Sequence, residues 1–313
     1  MPTTASAIDA MLDEAAVRRH LRMADLIPAM ARALVDLSAG RSVQPVRQML
    51  QVPGRDGFFA VMPAFAAGAL GAKLVTFFPG NTGIHTHHAL ILLFHPETGE
   101  PLATMDGRLI TEMRTAAVSA VATQWLARPD AGILAILGSG VQARSHLEAL
   151  RLVRPLGEAR VWSPRNGAAF AERHGIRATG SAEEAVRGAE VVVVATSSRT
   201  PVLHGTWLSP GAHVNAVGAV RPDWRELDDD AVRRARLYVE SREAATSEAG
   251  DVIAAGEPYA EIGEVVAGAR PGRQSADEIT LFKSVGVAVA DVVAADLVWR
   301  AARPGGGPAG SAA

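Results

Sequence analysis

The chain has 313 residues, of which 48% are hydrophobic and 20% charged, and its formal net charge is −2. The length suggests two domains of roughly 150 residues each, and the composition is typical of a globular protein. A charge near zero argues against nucleic acid or anionic lipid as a partner. Because the sequence contains no cysteine, disulfides, thiolate zinc sites and a cysteine nucleophile are excluded.

The N-terminus lacks the pattern of a targeting signal. Its first twenty residues contain no basic segment followed by an apolar run. No later segment approaches the ~20 uninterrupted apolar residues that a membrane span requires. The sequence therefore predicts a soluble, cytoplasmic protein.

The first third of the chain mixes helix and strand. Residues 24–38 are amphipathic and predict a helix that ends at Gly40. Short runs rich in β-branched and aromatic residues follow, separated by glycine, proline or asparagine turns. These runs are SVQPVRQML, GFFAVMPAF, AKLVTFF and HALILLFH. They predict a separate α+β unit with a largely antiparallel sheet.

From about residue 113 the pattern changes to alternating helices and strands. A small-residue helix, RTAAVSAVATQWLA, comes first, and further helices are predicted from residue 141 and from about residue 167. The six strand candidates are AGILAIL, ARVWS, residues 176–179, EVVVVAT, HVNAVGA and RLYVE. Strands joined by helical crossovers predict an α/β fold with a doubly wound parallel sheet of the Rossmann type.

The C-terminal region contains LFKSVGVAVADVVAADLVWRAA, a long apolar helical pattern, followed by RPGGGPAGSAA, a flexible tail by composition. We expect the apolar pattern to pack on the N-terminal unit rather than to extend the parallel sheet. The predicted domains are therefore residues 1–115 with 287–313, and residues 116–286.

The segment ILAILGSGVQARSHLEAL places Gly138, Gly140 and Ala143 in a G-x-G-x-x-A arrangement between a strand and a helix. The first position suits a tight turn, the second a close approach of a pyrophosphate, and the third close packing of helix on strand. The helix N-terminus then offers free N–H groups to phosphates. The segment predicts a dinucleotide site in which Gly138 and Gly140 contact the cofactor.

The end of the next strand indicates which dinucleotide binds. An acid there favours a free ribose 2′-hydroxyl, whereas arginine and hydroxyl groups favour a 2′-phosphate. This strand end carries Ser163, Arg165 and Asn166, and the first carboxylate after it is Glu172. NADPH is therefore favoured as the cofactor, with NADH as the alternative.

Three cationic residues are embedded in apolar segments of the first third. Lys73 shares a strand face with Val75, Arg47 lies in VQPVRQML, and Arg114 is expected at the start of a helix. Any one of them alone is more often a packing or surface residue. Together they form a candidate clamp for a substrate carboxylate, in which each charged hydrogen bond contributes ~1.5 to 3 kcal/mol.

Four histidines lie in IHTHHALILLFH, namely His85, His87, His88 and His95. No nearby carboxylate completes a metal-ligand set, so no metal is expected. Polar contacts to the cofactor, or a hydrogen-bonded loop, are the favoured interpretations.

The stretch NAVGAVRPDWRELDDD joins a buried strand to charged residues. We interpret PDWRELDDD as a helix start, in which Asp223 caps the helix in a D-x-x-E pattern with Glu226. Val220 then lies at the strand tip, where open α/β sheets place their chemistry.

The combination of QPVR, AKLVTFF, RTAAVSA, LGSGVQA, RPDWRELDD and LFKSVG resembles the ornithine cyclodeaminase and mu-crystallin family. The resemblance runs from about residue 8 to residue 300. The RPDWRELDD and VWS-x-R segments are most similar to the mu-crystallin branch, which consists of NADPH-dependent ketimine reductases. One position differs from that branch. In the mu-crystallin branch an arginine directly follows the polar residue of the strand end, whereas here Pro164 stands between Ser163 and Arg165.

The resemblance implies roles for individual residues. Arg47, Lys73 and Arg114 hold the substrate carboxylate or the nicotinamide end of the cofactor, and Lys73 is the candidate proton donor, with a depressed pKa. The implied cofactor contacts are Thr86, His87, Gly140, Val141, Gln142, Ser163, Thr196, Val217, Gly218 and Ser284, with either Arg165 or Asn166 at the 2′-phosphate. The resemblance also implies a homodimer built through the N-terminal sheets.

The implied activity is NADPH-dependent reduction of a cyclic ketimine carboxylate, Δ1-pyrroline-2-carboxylate or Δ1-piperideine-2-carboxylate, to proline or pipecolate. Cyclodeaminases of the family carry an aspartate in a V-G-G-D arrangement, and Val220 takes its place here. Val220 is thus expected to shape the substrate pocket without moving a proton. The alternatives are an ornithine cyclodeaminase, an alanine or N-alkyl amino-acid dehydrogenase, and a binding or structural protein without catalysis.

Overall fold

The computed structural model of the protein describes residues 10–303. The chain divides into two compact units. Unit 1 comprises the described parts of Met1–Arg114 and Val287–Ala313, and unit 2 is Thr115–Gly286. The predicted flexible tail lies outside the described residues from Pro304 onward.

Unit 1 contains one mixed sheet and helices packed on it. Its elements are β1 (Ala10–Leu12), α1 (Glu14–His20), α2 (Met23–Ser38), β2 (Gln48–Gln51), β3 (Phe58–Ala66), β4 (Ala69–Phe77), β5 (His87–Phe94), β6 (Pro101–Asp106), the start of α3 (Arg108–Leu126) and α11 (Ala288–Ala302). The sheet order is β1-β6-β5-β4-β3-β2. All neighbouring strands are antiparallel except β1 and β6. The sheet of hairpins is therefore confirmed, with β1 and β6 as additions.

The hairpin of β3 and β4 determines which side chains face the core. Ala67 and Gly68 both have positive φ, 51° and 77°, as a two-residue turn of the primed type requires. The register pairs Met62 with Lys73, and alternate residues of both strands are buried. The buried face packs against α11, which also contacts α2.

The start of α3 differs from the prediction. The helix begins at Arg108, so Arg114 lies almost two turns inside it rather than at its start. Asp106 accepts a hydrogen bond from the Arg108 amide at 2.9 Å. The predicted start was too late because RLITEM, which contains polar residues, precedes the small-residue run.

Unit 2 is built on a single eight-stranded sheet. Its elements are β7 (Ile133–Leu137), α4 (Val141–Arg151), β8 (Glu158–Trp162), α5 (Gly167–His174), β9 (Arg177–Ala178), α6 (Ala182–Val186), β10 (Val191–Val194), β11 (His213–Ala216), α7 (Asp229–Arg234), β12 (Ala235–Val239), α8 (Arg242–Glu248), α9 (Gly250–Ala255), β13 (Ala260–Glu261), α10 (Ile262–Val266) and β14 (Ile279–Lys283).

The strand order is β13-β12-β14-β11-β10-β7-β8-β9, and every pair is parallel. The chain runs outward through β8 and β9, then crosses back to β10 on the other side of β7. This is the strand order of a doubly wound sheet up to its fifth strand. The predicted α/β fold class is confirmed.

The C-terminal apolar pattern is not one helix. Ile279–Lys283 forms β14, a completely buried strand inserted between β12 and β11, and the helix begins only at Ala288. The prediction that this region does not extend the parallel sheet is therefore wrong for its first part. A fully buried strand and a buried helix share the same continuous apolar pattern, which explains the error.

The segment after β11 also differs from its interpretation. Helix α7 begins at Asp229, and its cap is Asp228, which accepts from the Ala231 amide at 2.8 Å. Asp223 is exposed and caps no helix, while Glu226 is buried. The D-x-x-E pattern resembles a cap locally, but the segment instead pairs Leu227 with Leu203.

Among residues 10–303, no helix is long and apolar enough to cross a membrane.

Unit 2 contains two buried histidines, His146 and His213. The ring of His146 contacts the Gln142 carbonyl at 2.8 Å and the Ser119 hydroxyl at 2.9 Å. The ring of His213 contacts the Thr280 hydroxyl at 2.9 Å. Burial lowers the pKa of His146 to about 4 and that of His213 to about 3.

These histidines make stability depend on pH. The unfolded side chains take up protons below about pH 6.5, whereas the buried rings stay neutral down to about pH 4 and about pH 3. The contribution of the two neutral rings to the free energy of unfolding is therefore fully present above about pH 6.5 and is lost as the pH falls. We expect the free energy of unfolding to fall by about 1 kcal/mol per pH unit for each buried ring between pH 6 and 5.

Urea unfolding at pH 7.5, 6.5, 5.5 and 5.0 measures this dependence. His146→Gln should reduce the change in the free energy of unfolding with pH by about 1 kcal/mol per pH unit. His85→Gln, at an exposed position, should leave the wild-type dependence on pH unchanged. Equal slopes in His146→Gln and the wild type would contradict the expectation.

Candidate active site

The candidate dinucleotide site lies at the carboxyl end of β7, where the strand order of unit 2 reverses. Gly138 has φ 117°, and a Cβ there would lie 2.3 Å from the Ala195 carbonyl oxygen. A Cβ on Gly140 would meet nothing within 4 Å. Gly138 thus allows two loops to pack closely, and Gly140 leaves open space in front of the helix.

Helix α4 begins directly behind this open space. Gly140 is its N-cap and offers no side-chain cap, so the first-turn N–H groups are available to an anion. The buried Oε1 atom of Gln142 has no hydrogen-bond partner among the described residues. Val141 is 46% exposed, whereas Ala143, in the same helical turn, is fully buried. This loop is shaped to receive a pyrophosphate.

The end of β8 lies beside this loop. The Ser139 hydroxyl donates to the Ser163 hydroxyl at 2.9 Å, which joins the glycine loop to the strand end. Arg165 and Asn166 are both exposed, and Asn166 precedes α5 without a side-chain cap contact. The predicted 2′-phosphate contacts therefore lie together on one surface, and their role in cofactor binding stays a prediction.

Glu226 joins the loops that follow β10 and β11. One carboxylate oxygen accepts from the amide and the hydroxyl of Thr196, at 2.8 and 2.6 Å. The other accepts from the amides of Gly218 and Ala219, at 2.7 and 3.0 Å. Burial raises the pKa of Glu226, and the Lys283 charge and these bonds oppose that rise. Since a Cβ on Gly218 would lie 2.4 Å from Glu226 Oε1, glycine is required there.

The remaining predicted residues of unit 2 lie at the same strand ends. Val217 directly follows β11 and is partly buried. Val220 is also partly buried and packs against the hydrophobic core of unit 2. Ser284 follows β14 and donates to buried Glu240 at 3.0 Å. No described contact assigns these residues a role with cofactor or substrate, so those roles stay predictions.

Unit 1 places two of the predicted cations around one buried acid. Lys73, on β4, has its Nζ 2.6 Å from Oδ2 of Asp291. Arg114, on α3, donates from Nε to Oδ1 of the same carboxylate at 2.8 Å. The Nη1 atom of Arg114 is buried without a hydrogen-bond partner in the described chain. The cluster thus contains a guanidinium nitrogen whose hydrogen-bonding capacity is not used by the described residues.

The surrounding charges tune Lys73. Burial lowers its pKa to about 7, with Arg114 and Arg47 acting in the same direction and Asp291 against it. Burial lowers the pKa of His87 to about 3, reinforced by Lys73 and Arg114. His87 is therefore neutral at pH 7, and Lys73 is poised to exchange a proton. Thr86 directly precedes His87 in the chain. Its backbone carbonyl accepts a hydrogen bond from the Phe78 amide at 2.8 Å.

Residues 10–303 contain no group of three or more histidines, aspartates or glutamates arranged to hold a metal ion. His85 and His88 contact each other edge to face, with ring centroids 6.0 Å apart.

Two acids of these sites were missed in the sequence analysis. Asp291 lies within an apolar helical run. An acid in such a run could have been recognised as a buried, paired residue, because acids are rarely buried without a partner. Glu226 carries no such signal, because its surroundings RELDDD are typical of a solvated helix start.

A doubly wound sheet with a glycine loop at its switch point defines a dinucleotide-binding protein, and the lysine–arginine cluster adds a candidate site for an anionic substrate. The family model described as "Ornithine cyclodeaminase/mu-crystallin family" matches residues 8–306. The chain belongs to this family, as the resemblance predicted.

Individual relatives are similar over nearly the whole chain. Ketimine reductase mu-crystallin of Mus musculus is 48% identical over 303 residues, which cover 93% of this chain and 96% of that protein. The structure of Thermococcus litoralis Delta(1)-pyrroline-2-carboxylate reductase in complex with NADH and L-proline has a TM-score of 0.89 and 39% identity, covering 93% and 97% of the chains. An archaeal alanine dehydrogenase dimer with bound NAD has a TM-score of 0.87 and 35% identity, covering 93% and 95%.

The Glu226 contacts predict a strong effect of a conservative substitution. Glu226→Gln keeps the shape but turns an NH2 group toward amide donors, so hydrogen bonds are lost in a buried place. We expect the free energy of unfolding to fall by about 2 to 4 kcal/mol, measured by urea denaturation. Asp223→Asn is the matched control and should change it by less than about 0.5 kcal/mol. A fall in the Glu226→Gln variant no larger than the change in Asp223→Asn would contradict the role of the Glu226 contacts.

Proposed function

We propose that this protein reduces cyclic ketimine carboxylates with a reduced nicotinamide dinucleotide, yielding proline or pipecolate. The observation that carries the proposal is the buried, unpartnered Nη1 of Arg114 beside Lys73. An uncompensated guanidinium edge is a site for an oxyanion, and a carboxylate matches its geometry. The names of the relatives, ketimine reductase and pyrroline-2-carboxylate reductase, support the same reaction.

Arg114 binds the substrate carboxylate in this proposal. Its Nε is already held by Asp291 at 2.8 Å, so the guanidinium is oriented before substrate arrives. Arg47 adds a second positive charge near Lys73 and strengthens the attraction for an anion. The substrate is thereby held by its carboxylate, which leaves its imine bond free to react.

Lys73 supplies or shares the proton of the imine nitrogen. With a pKa of about 7, its ammonium form and its amine form are both populated at neutral pH, as a proton-transfer group requires. An imine that arrives already protonated needs no strong acid. In that case the neutral amine form of Lys73 suits the site, because it places no second positive charge beside the iminium.

The dinucleotide fits the loop of unit 2. The open space at Gly140 and the uncapped start of α4 suit the pyrophosphate, and Ser163 with Arg165 suits a 2′-phosphate. When bound, the dihydronicotinamide supplies the hydride. Thr196, Val217 and Gly218 are proposed to lie near its ring, in loops that Glu226 holds together.

NADPH remains the proposed cofactor, on the basis of Arg165 and the absence of an acid at the end of β8. The Thermococcus enzyme was solved with NADH and the archaeal dehydrogenase with NAD, so NADH is the second candidate. The archaeal dehydrogenase is a dimer, which supports the proposed homodimer.

The proposed reaction does not include deamination. Val220 packs on the core of unit 2, and an apolar side chain cannot transfer the protons that loss of ammonia requires. Asp223, the nearest following carboxylate, is exposed.

Activity assays test the proposed reaction. Purified protein with NADPH should reduce Δ1-pyrroline-2-carboxylate or Δ1-piperideine-2-carboxylate. Lys73→Met should lower kcat/KM by about 10²-fold or more, while the Kd for NADPH stays nearly unchanged.

Two further mixtures test the alternatives: NAD with ornithine, assayed for ammonia, and NADH with pyruvate and ammonium. Ammonia release without imine reduction would show a cyclodeaminase, and pyruvate amination alone would show an alanine dehydrogenase. Tight NADPH binding with no activity would show a binding protein.

Cofactor preference is tested at the end of β8. Arg165→Ala should raise the Kd for NADPH by about tenfold or more, since a charged hydrogen bond contributes ~1.5 to 3 kcal/mol. The Kd for NADH should stay the same, as measured by fluorescence titration. Arg173→Ala is the control, since Arg173 is also exposed but lies near the end of α5, away from the end of β8. Equal weakening of both cofactors by Arg165→Ala would contradict a 2′-phosphate contact.

A further inference from the structure

Asp291 has no assigned role, yet it contacts both proposed catalytic cations. We propose that Asp291 is the positioning residue of the site, holding the Lys73 ammonium with one carboxylate oxygen and orienting the Arg114 guanidinium with the other. For its catalytic consequence this inference rests on the proposed function. The contacts that carry it are within unit 1 and do not depend on the identity of the substrate.

The geometry divides the Asp291 carboxylate between two partners. Oδ2 lies 2.6 Å from Lys73 Nζ, and Oδ1 accepts from Arg114 Nε at 2.8 Å. Asp291 and Lys73 are at most 2% exposed, so water does not screen these contacts. Because Asp291 engages Arg114 through Nε, the buried Nη1 is left without a protein partner. The acid thus presents the guanidinium edge to substrate.

The helix that carries Asp291 is itself held in place. Asp291 lies in the first turn of α11, where the helix dipole favours a negative charge. The Val289 amide in the same turn donates to Oε1 of Gln44 at 3.0 Å. The carboxylate is therefore fixed by the start of its helix as well as by its partners.

The titratable groups around Lys73 come from three elements and from the segment before β2. Asp291 on α11 is the anion, Arg114 on α3 and Arg47 before β2 are cations, and His87 on β5 is neutral at pH 7. Asp291 raises the pKa of Lys73, whereas burial and both arginines lower it. Without Asp291, the amine form would dominate at neutral pH.

The scarcity of lysine in the chain supports a proton-transfer role for Lys73, which an arginine could not perform. Of the 31 lysines and arginines, only Lys73 and Lys283 are lysines. Both are buried, and each is paired with a buried aspartate, Lys283 Nζ lying 3.1 Å from Oδ2 of Asp251. Arginine stays protonated at all accessible pH values, whereas lysine can release a proton. Lys73 is thus a position where loss of a proton is possible.

Two lysines make a direct measurement possible. Protein labelled with ¹³C,¹⁵N-lysine gives two side-chain Cε signals, which Lys283→Arg assigns. We expect the Lys73 signal to titrate near pH 7 in the wild type. In Asp291→Asn its midpoint should fall by about 1 to 3 pH units, because a neighbouring opposite charge is removed. Asp251→Asn, which removes the acid beside the other buried lysine, is the matched control and should leave the Lys73 midpoint in place.

Steady-state kinetics provide the second readout. Asp291→Asn should move the high-pH limb of kcat/KM to lower pH by the same amount as the Lys73 midpoint, and raise the KM for the carboxylate substrate about tenfold. Asp291→Glu, which keeps the charge, should restore part of both changes. A purely structural role would lower activity at every pH without moving the limb.

The outcomes separate the two proposals. An unchanged Lys73 midpoint in Asp291→Asn would overturn the positioning role, whatever the substrate is. If that variant does not fold, a wild-type Lys73 midpoint below about 6, typical of a buried lysine without an anionic partner, overturns it as well. Failure to reduce any cyclic imine, with the expected midpoints present, would instead overturn the proposed function alone.

Discussion

The carboxylate of Asp291 is the constraint on which the candidate catalytic site of unit 1 depends. Two cations cannot be buried beside each other without an anion, because each would lose its hydration and repel the other. Asp291 lies within 3 Å of both Lys73 and Arg114. This arrangement fixes the position of α11 against β4 and α3, and leaves the cluster with a net positive charge suited to one substrate carboxylate.

Unit 2 uses buried acids in a similar way, but their partners are mainly backbone amides. Glu226 joins the loops after β10 and β11, and Glu240 accepts from the amides of Val285 and Gly286 after β14. Asp251 accepts from the amides of Glu226 and Leu227. Loops at the carboxyl edge of the sheet are thus held by ionic hydrogen bonds. Such loops are ready to bind a cofactor without first being ordered, which lowers the entropic cost of binding.

Sequence reasoning succeeded where the signal is local. The spacing of Gly138 and Gly140 predicted the turn between β7 and α4, and the alternation around Lys73 predicted that it shares a strand face with Val75. It failed where distant residues decide. The apolar pattern from Leu281 suits a buried strand as well as a helix, and only the sheet shows that it fills the place between β11 and β12. The cap-like spacing of Asp223 and Glu226 was wrong because Glu226 binds loops that are separated from it in sequence.

The path of the chain gives the Asp291 contacts a consequence for biosynthesis. Unit 2 is an insertion, since the chain leaves unit 1 after Arg114 and returns at Val287. Arg114 is the last residue before the insertion, and Asp291 lies in the first helical turn after it. A ribosome therefore completes all of unit 2 before it releases the acid that Lys73 and Arg114 require. Until then, the nascent sheet of unit 1 carries both cations without their anion and without the helix that covers them. The cluster of Lys73, Arg114 and Asp291 is consequently among the last parts of the protein to form, and a chain truncated before α11 would carry its two cations without their acid.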